Sequence, residues 1–349
     1  MTIILFIIVL LVTVIVHELG HFIAAKKSGM AVEEFGFGIP PRLWSWKKGE
    51  TLYSINALPF GGFVKIAGEN GIENGTPLDK QFESKPWWKQ SIVLVAGVVC
   101  NILLAIFLFT ISFSLGTPTI SPTGTPTVIH ITDNSPIDEA GIKVGDVINE
   151  VSKDGVVITD IDTTAMKALI NGSTEPLNIT YTRNKDPQTV TVSPINDGGD
   201  VIIGVGVEKV TLEHVSVPQA FTKALKQTGN ITSSIFKTVG NLLGKLVTGK
   251  EQTEQLIGPI GLAKEVRNAS AIGFAYLLSF TAMISINLAV INILPFPALD
   301  GGRLIIVLLE RIFNRKFSKK VVGMIHAGGF ILLIGLMVIL SVGDIGRLL

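Results

Sequence analysis

Charged residues are scarce in this 349-residue chain, at 16% against roughly a quarter in an ordinary soluble domain. The 29 lysines and arginines nearly cancel the 28 aspartates and glutamates, leaving a net charge of +1. No global basic field exists to recruit nucleic acid, and no acidic excess points to disorder. Cysteine occurs once, at Cys100 within an apolar run, which excludes an internal disulfide framework and any cysteine-cluster metal site. A metal, if held, must be held by His, Asp or Glu. What the chain has instead is apolar length: 47% of its residues are hydrophobic and the mean hydropathy is +0.51. The length allows about two domains, and the bilayer is the solvent this composition suits.

A spanning helix needs about 20 mostly apolar residues. Four stretches qualify: Ile3 to Ala25, Ser91 to Leu115, Ala271 to Leu294 and Val321 to Val342. The first lacks the basic start and small-residue cleavage site of a signal peptide and reads as a retained span. Lysine and arginine near span ends favour the cytoplasm. The segment after the first span carries nine of them between Lys26 and Lys89, and the segment between spans three and four carries Arg303, Arg311, Arg315, Lys316, Lys319 and Lys320. Both are expected inside. The long, mildly acidic segment between spans two and three, and both chain termini, are then expected outside.

That outer segment has two parts. From Thr117 to Val210, short β-branched runs such as Leu177 to Thr182 alternate with Gly, Pro, Asn and Asp, which predicts a small β-rich domain. From Val217 to about Val247, apolar residues recur mainly at three- and four-residue spacing, which predicts an amphipathic helix. On the inner side, the runs Glu34 to Gly38, Thr51 to Ile55 and Gly62 to Ile66 predict short strands within 30–68, and Trp44 and Trp46 suit a membrane interface.

The sharpest local signal is His17-Glu18-Leu19-Gly20-His21. On a helix, imidazoles at i and i+4 share one face and can grip one zinc ion, with Glu18 beside it as general base for a bound water. With 5 His in the chain, about 0.003 such matches arise by chance. A catalytic zinc takes three protein ligands and keeps one position open. Candidates for the third ligand are Asp300, His326 and Asp344. Asp300 follows a stretch in which Pro295 and Pro297 break the third span, and irregular backbone at membrane depth is tolerated only where it is buried in protein or lines a polar cavity. Asp300 is thus the best placed third ligand of the three, although it is equally placed to cap the helix that follows. Asn101 in the second span suits an interhelical hydrogen bond.

His17 to His21 in the first span, together with Asn292-x-x-Pro295-x-Pro297-x-Leu299-Asp300-Gly301-Gly302 at the third, resembles the site-2 protease family of intramembrane zinc metalloproteases, in its bacterial branch with an external PDZ domain. Glu34 to Gly38, Pro59 to Lys65, Ala96-Gly97 with Asn101, Gly258 to Gly261 and Gly343 to Ile345 belong to the same resemblance, which covers nearly the whole chain. Val98 stands where the family usually has proline, and the β-rich part has room for one PDZ domain where better-known relatives often carry two. Ser135 to Ile148 is similar to a PDZ signature that identifies the fold and not a site.

The resemblance implies a polytopic α-helical membrane protein: four transmembrane helices, a membrane-associated β-hairpin region and one inserted extracytoplasmic PDZ domain. The expected divisions are an N-terminal membrane part at 1–115, the PDZ domain at 117–210, an amphipathic helix and connector at 211–270, and a C-terminal membrane part at 271–349. It implies Zn2+ held by His17, His21 and Asp300, with Glu18 as base and Asn292 positioning or polarising the scissile carbonyl. Gly61, Gly62 and Phe63 offer a strand edge for an unwound substrate, and Ile203, Gly204, Val205 and Gly206 form the loop that would receive a chain end by β-addition. The implied partners are the lipid bilayer and single-span membrane proteins, such as anti-sigma factors or remnant signal peptides. Two rival classes are a catalytically silent PDZ-bearing scaffold and a metal transporter, although a transporter would be expected to show internal repeats.

Overall fold

The computed structural model describes residues 2–348 apart from 70, 73, 133, 171, 184, 198, 199 and 249–257. In chain order, helix α1 (Thr2–Lys27) leads into strands β1 (Val32–Lys48) and β2 (Thr51–Ile66), and then into α2 (Trp87–Leu115). There follow β3 (Thr117–Ile131), α3 (Pro136–Glu139), β4 (Val147–Lys153), β5 (Val156–Ile158), α4 (Thr163–Ile170), β6 (Leu177–Arg183), β7 (Asp186–Val192), β8 (Ile195–Asp197), β9 (Asp200–Ile202) and β10 (Val205–Glu213). The chain closes with α5 (Val217–Thr248), α6 (Pro259–Ile272), α7 (Phe274–Ile293), α8 (Asp300–Ile312) and α9 (Lys319–Leu348).

Among the described residues four helices, α1, α2, α7 and α9, are long and apolar enough to cross a membrane. Large side chains such as Phe107, Ile331 and Ile339 stay exposed on them; in water a continuous apolar surface of this kind is an aggregation hazard, whereas in lipid it is the solvated face. The third span begins later than the apolar run suggests. Ala271 and Ile272 end α6, and Gly273, at φ +148°, breaks the backbone before α7 starts at Phe274.

Two compact units divide the chain. The first takes the described residues within 1–110, 218–256 and 279–340. In it β1 and β2 curl into a small sheet, because residues 34–37 of β1 pair on one side with 62–65 of β2 and on the other with 52–55, while 44–48 pair with the far side of 51–55. The three short strands expected from the sequence are all present as segments. A fourth, at 44–48, was hidden because its tryptophans and lysines read as an interface motif rather than as strand. The 62–66 segment is thereby an edge. Ala25, Met30, Val32, Ile66, Val93 and Val307 form the core that joins α1, both strands, α2 and α8. Lys26 ties the end of α1 to Glu50 in the β1–β2 turn at 2.8 Å, and its hydrogen bond holds that carboxyl below its ordinary pKa.

The second unit takes the described residues within 111–217, 257–278 and 341–349. Its sheet runs in the order β10-β3-β4-β6-β7, with β5 on β4, and it encloses an apolar core that includes Val128, Ile148, Leu177, Ile179 and Val207. Buried Asp146 accepts Nε and Nη2 of Arg183 at 2.8 and 2.6 Å, so the Gly145-Asp146 pair of the signature is structural. The last strand, β10, runs three residues past the boundary expected at Val210.

Candidate metal centre

Helix α1 is uninterrupted through His17, Glu18 and His21, so both imidazoles leave the same face. Asp300 reaches them from the start of α8. The chain between α7 and α8 turns through Ala298, which sits in the left-handed region at φ +76°. Gly301 and Gly302 let α8 begin directly against this turn, because a Cβ at either would collide with the carbonyls of Ile293, Leu294 or Phe296. The cap position of α8 is Leu299, with no side-chain capping bond. The Asp300 carboxylate is therefore turned to the histidines and does not cap its own helix.

His17 Nε2 and Asp300 Oδ2 are 3.0 Å apart, His21 Nε2 and Asp300 Oδ2 3.2 Å, and the two Nε2 atoms 3.2 Å. A tetrahedral zinc with bonds of about 2.0 Å sets its ligand atoms about 3.3 Å apart, so this triangle fits one. His21 Nδ1 donates to the Val93 carbonyl at 2.8 Å when its Nε2 keeps a lone pair toward the triangle, the usual arrangement of a metal-binding histidine. Both rings are buried. Among the described residues no other group of three or more His, Cys, Asp or Glu side chains converges in this way.

A cavity of about 310 Å³ opens beside the triangle and is lined by Glu18, Phe63, Val64, Leu288 and Asn292 as well as by the three donors. Asn292 Nδ2 lies 3.4 Å from His17 Nε2, so its amide faces the same space. Gly62, on the edge segment of β2, faces Glu18: a Cβ there would lie 3.6 Å from Glu18 Cγ. The site is thus walled by a strand edge on one side and by α7 on another. A second cavity, of about 490 Å³, shares Asp300 and Glu69 with the first and continues past Arg303 to Lys319 and His326. The Arg303 guanidinium is ion-paired with Glu69 where the two cavities meet.

The other two candidates for a third ligand have different employment. His326 Nδ1 accepts the Ala298 N–H at 2.9 Å, which props the turn that presents Asp300. Asp344 belongs to the second unit, where it accepts the N–H groups of Gly258 and Gly261 at 3.2 and 2.8 Å and so satisfies the start of α6. Ile203, Gly204, Val205 and Gly206 also belong to the second unit. The carbonyls of Ile203 and Gly204 accept the N–H groups of Ile137 and Thr132, and β10 is a sheet edge. Its polar groups at Val207 are already met by Thr163, whose hydroxyl donates to the Val207 carbonyl at 2.8 Å and lies 3.0 Å from the Val207 N–H.

Sequence reasoning missed the Val93 carbonyl and the close approach at Gly97. A Cβ on Gly97 would lie 2.5 Å from His21 Nε2 and 2.7 Å from His17 Cε1. The signal available was spacing: Val93, Gly97 and Asn101 fall four residues apart on α2, one face of the helix.

Residues 5–336 match peptidase family M50. A Clostridium perfringens protein assigned as a zinc metalloprotease is 36% identical over 337 residues, which cover 95% of this chain and 95% of its own. The zinc metalloprotease RasP of Oceanobacillus iheyensis is 29% identical over 436 residues, covering 99% of each chain. Among solved structures, the PDZ domain of an SdrC-like protein from Listeria monocytogenes aligns with 26% of this chain and 92% of its own at 18% identity, with a TM-score of 0.21.

Proposed function

The chain belongs to peptidase family M50, a family of zinc metalloproteases, and from that premise we propose that it is an intramembrane endopeptidase that cuts transmembrane segments of single-span membrane proteins. The observation that carries this reading is the 3.0 to 3.2 Å triangle of His17, His21 and Asp300, whose two histidines lie on α1, a helix apolar and long enough to cross a membrane. In this reading those three side chains hold Zn2+. Zinc, when bound, lowers the pKa of a water toward about 7 and polarises the scissile carbonyl.

Glu18 then takes one proton from the attacking water as the C–O bond forms. It returns that proton to the leaving amine as the C–N bond breaks, so a single carboxylate serves both halves of the reaction. Asn292 donates its amide N–H to the carbonyl oxygen on which charge develops. A transmembrane helix hides its carbonyls in internal hydrogen bonds, so the substrate must unwind before it is cut. The edge of β2 at Gly61, Gly62 and Phe63 takes up the unwound stretch by β-addition.

The basic loops put β1 and β2 on the cytoplasmic side and the β-rich unit, read as a PDZ-type domain, outside together with both termini. The bond between Thr163 and Val207 on β10 favours a filter that excludes bulky outer domains over a groove that captures chain ends. Two single-span reporters, one carrying the span of an anti-sigma factor and one that of a remnant signal peptide, expressed with the protein or with Glu18→Gln, test the reading. Cleavage of at least one reporter by the wild type and of neither by the variant is expected. Intact reporters with the wild type would favour a scaffold or a transporter.

A further inference from the structure

The two histidines of the triangle are supported differently. His21 has a backbone carbonyl behind its Nδ1, and a backbone carbonyl can only accept. Behind Nδ1 of His17 stands Asn101, fully buried on α2, with its Nδ2 at 3.5 Å. Asn101 Oδ1 is also buried and has no hydrogen-bond partner among the described residues. The Asn101 backbone carbonyl accepts the Ser285 hydroxyl at 2.9 Å, which ties α2 to α7 and fixes the point from which the side chain starts. No other hydrogen-bond partner of His17 Nδ1 is found among the described residues.

A carboxamide is a donor at one end and an acceptor at the other, and its two ends have nearly the same shape. With its nitrogen toward the ring, Asn101 donates to Nδ1; the ring hydrogen then sits on Nε2 and is given to Asp300 Oδ2 at 3.0 Å. That arrangement gives both ring nitrogens of His17 a partner without a metal. To bind zinc, His17 must offer the Nε2 lone pair and carry its hydrogen on Nδ1, and a buried N–H without an acceptor is costly. A half-turn of the Asn101 amide puts Oδ1, the orphaned atom, where that acceptor is required.

We propose that Asn101 is the positioning residue for His17, and that its amide reverses on metal loading so that His17 has a matched partner both with zinc and without it. The inference rests on His17 being a zinc ligand, as argued above. An aspartate at this position supplies only the acceptor and a leucine of similar size supplies neither group. Asn101→Leu is therefore expected to weaken zinc binding by about ten- to a hundredfold, whereas Asn101→Asp retains it.

The test is zinc competition against a chromophoric chelator, performed on the full chain in detergent, with circular dichroism and thermal unfolding to establish that each variant is folded. Wild-type zinc affinity in folded Asn101→Leu, or an equal loss in folded Asn101→Leu and Asn101→Asp, would overturn the proposal. A second measurement needs no variant. Nitrogen-15 NMR of histidine-labelled protein should find the His17 ring hydrogen on Nε2 without zinc and on Nδ1 with it; a hydrogen on Nδ1 in both states would also overturn the proposal. The His17→Ala variant separates the two levels. Unchanged zinc binding there would defeat the ligand assignment itself, while lost zinc there with unchanged binding in Asn101→Leu would defeat only the role of Asn101.

Discussion

Asp300 shows how much one side chain depends on where its backbone turns. Its carboxylate reaches His17 and His21 because Ala298 turns left-handed, the two glycines that follow leave room, and His326 holds the Ala298 N–H. Asp300→Asn keeps the shape and removes the charge, so zinc affinity and proteolysis should both fall by at least tenfold while the fold persists. Zinc titration with a cleavage assay checks this, and unchanged stoichiometry and affinity would mean the aspartate is no ligand. Glu18→Gln should behave differently. It leaves the three donors in place, so zinc content stays at wild type while turnover falls by about a hundredfold or more; elemental analysis beside the cleavage assay separates the two variants. The pair His17 and His21 was legible from spacing alone. The broken third span singled out Asp300 over His326 and Asp344, but it left open whether Asp300 caps its own helix, because sequence says nothing of which backbone N–H groups a carboxylate already meets.

Between elements, the decisive contact is α2 against the histidine face of α1. Helices approach closely where small residues face each other; Gly20 of α1 lies against Ala96 and Gly97, and Gly97 also leaves room for the pair of imidazole rings. Gly97→Ala should therefore displace both rings and abolish zinc binding in a protein whose helix content is unchanged, as read by metal analysis and circular dichroism. Retained zinc would show that α2 can back away. This contact was half legible: Gly97 and Asn101 stood out in the sequence, but the atoms they meet lie about 80 residues away along the chain. Strand segments 34–38, 51–55 and 62–66 were legible from β-branched and aromatic runs punctuated by glycine. The pairing of 34–37 on both of its sides was not, since register leaves no mark in composition. Likewise the start of α7 was misjudged by three residues, because Ala271 and Ile272 are apolar whether they end one helix or begin the next.

At the scale of the whole molecule, the shortage of charge has a physical location: the four apolar helices found among the described residues, whose surfaces stay exposed for lipid. The charges that remain divide into a basic face and a mildly acidic unit, and this division underlies the proposed orientation. In a Cys100→Ala background, Lys167→Cys should react with a membrane-impermeant maleimide in spheroplasts and Lys48→Cys only after permeabilisation; both positions are exposed. The reverse labelling would invert the orientation. The proposed protease cuts a peptide bond within the span of its substrate, at a centre that needs a metal. Mass spectrometry of products from a purified single-span reporter in detergent tests this most directly. Product ends inside the reporter's apolar segment, lost on chelation and restored by zinc, are predicted; cleavage confined to the reporter's soluble parts, or undiminished by a chelator, would contradict it.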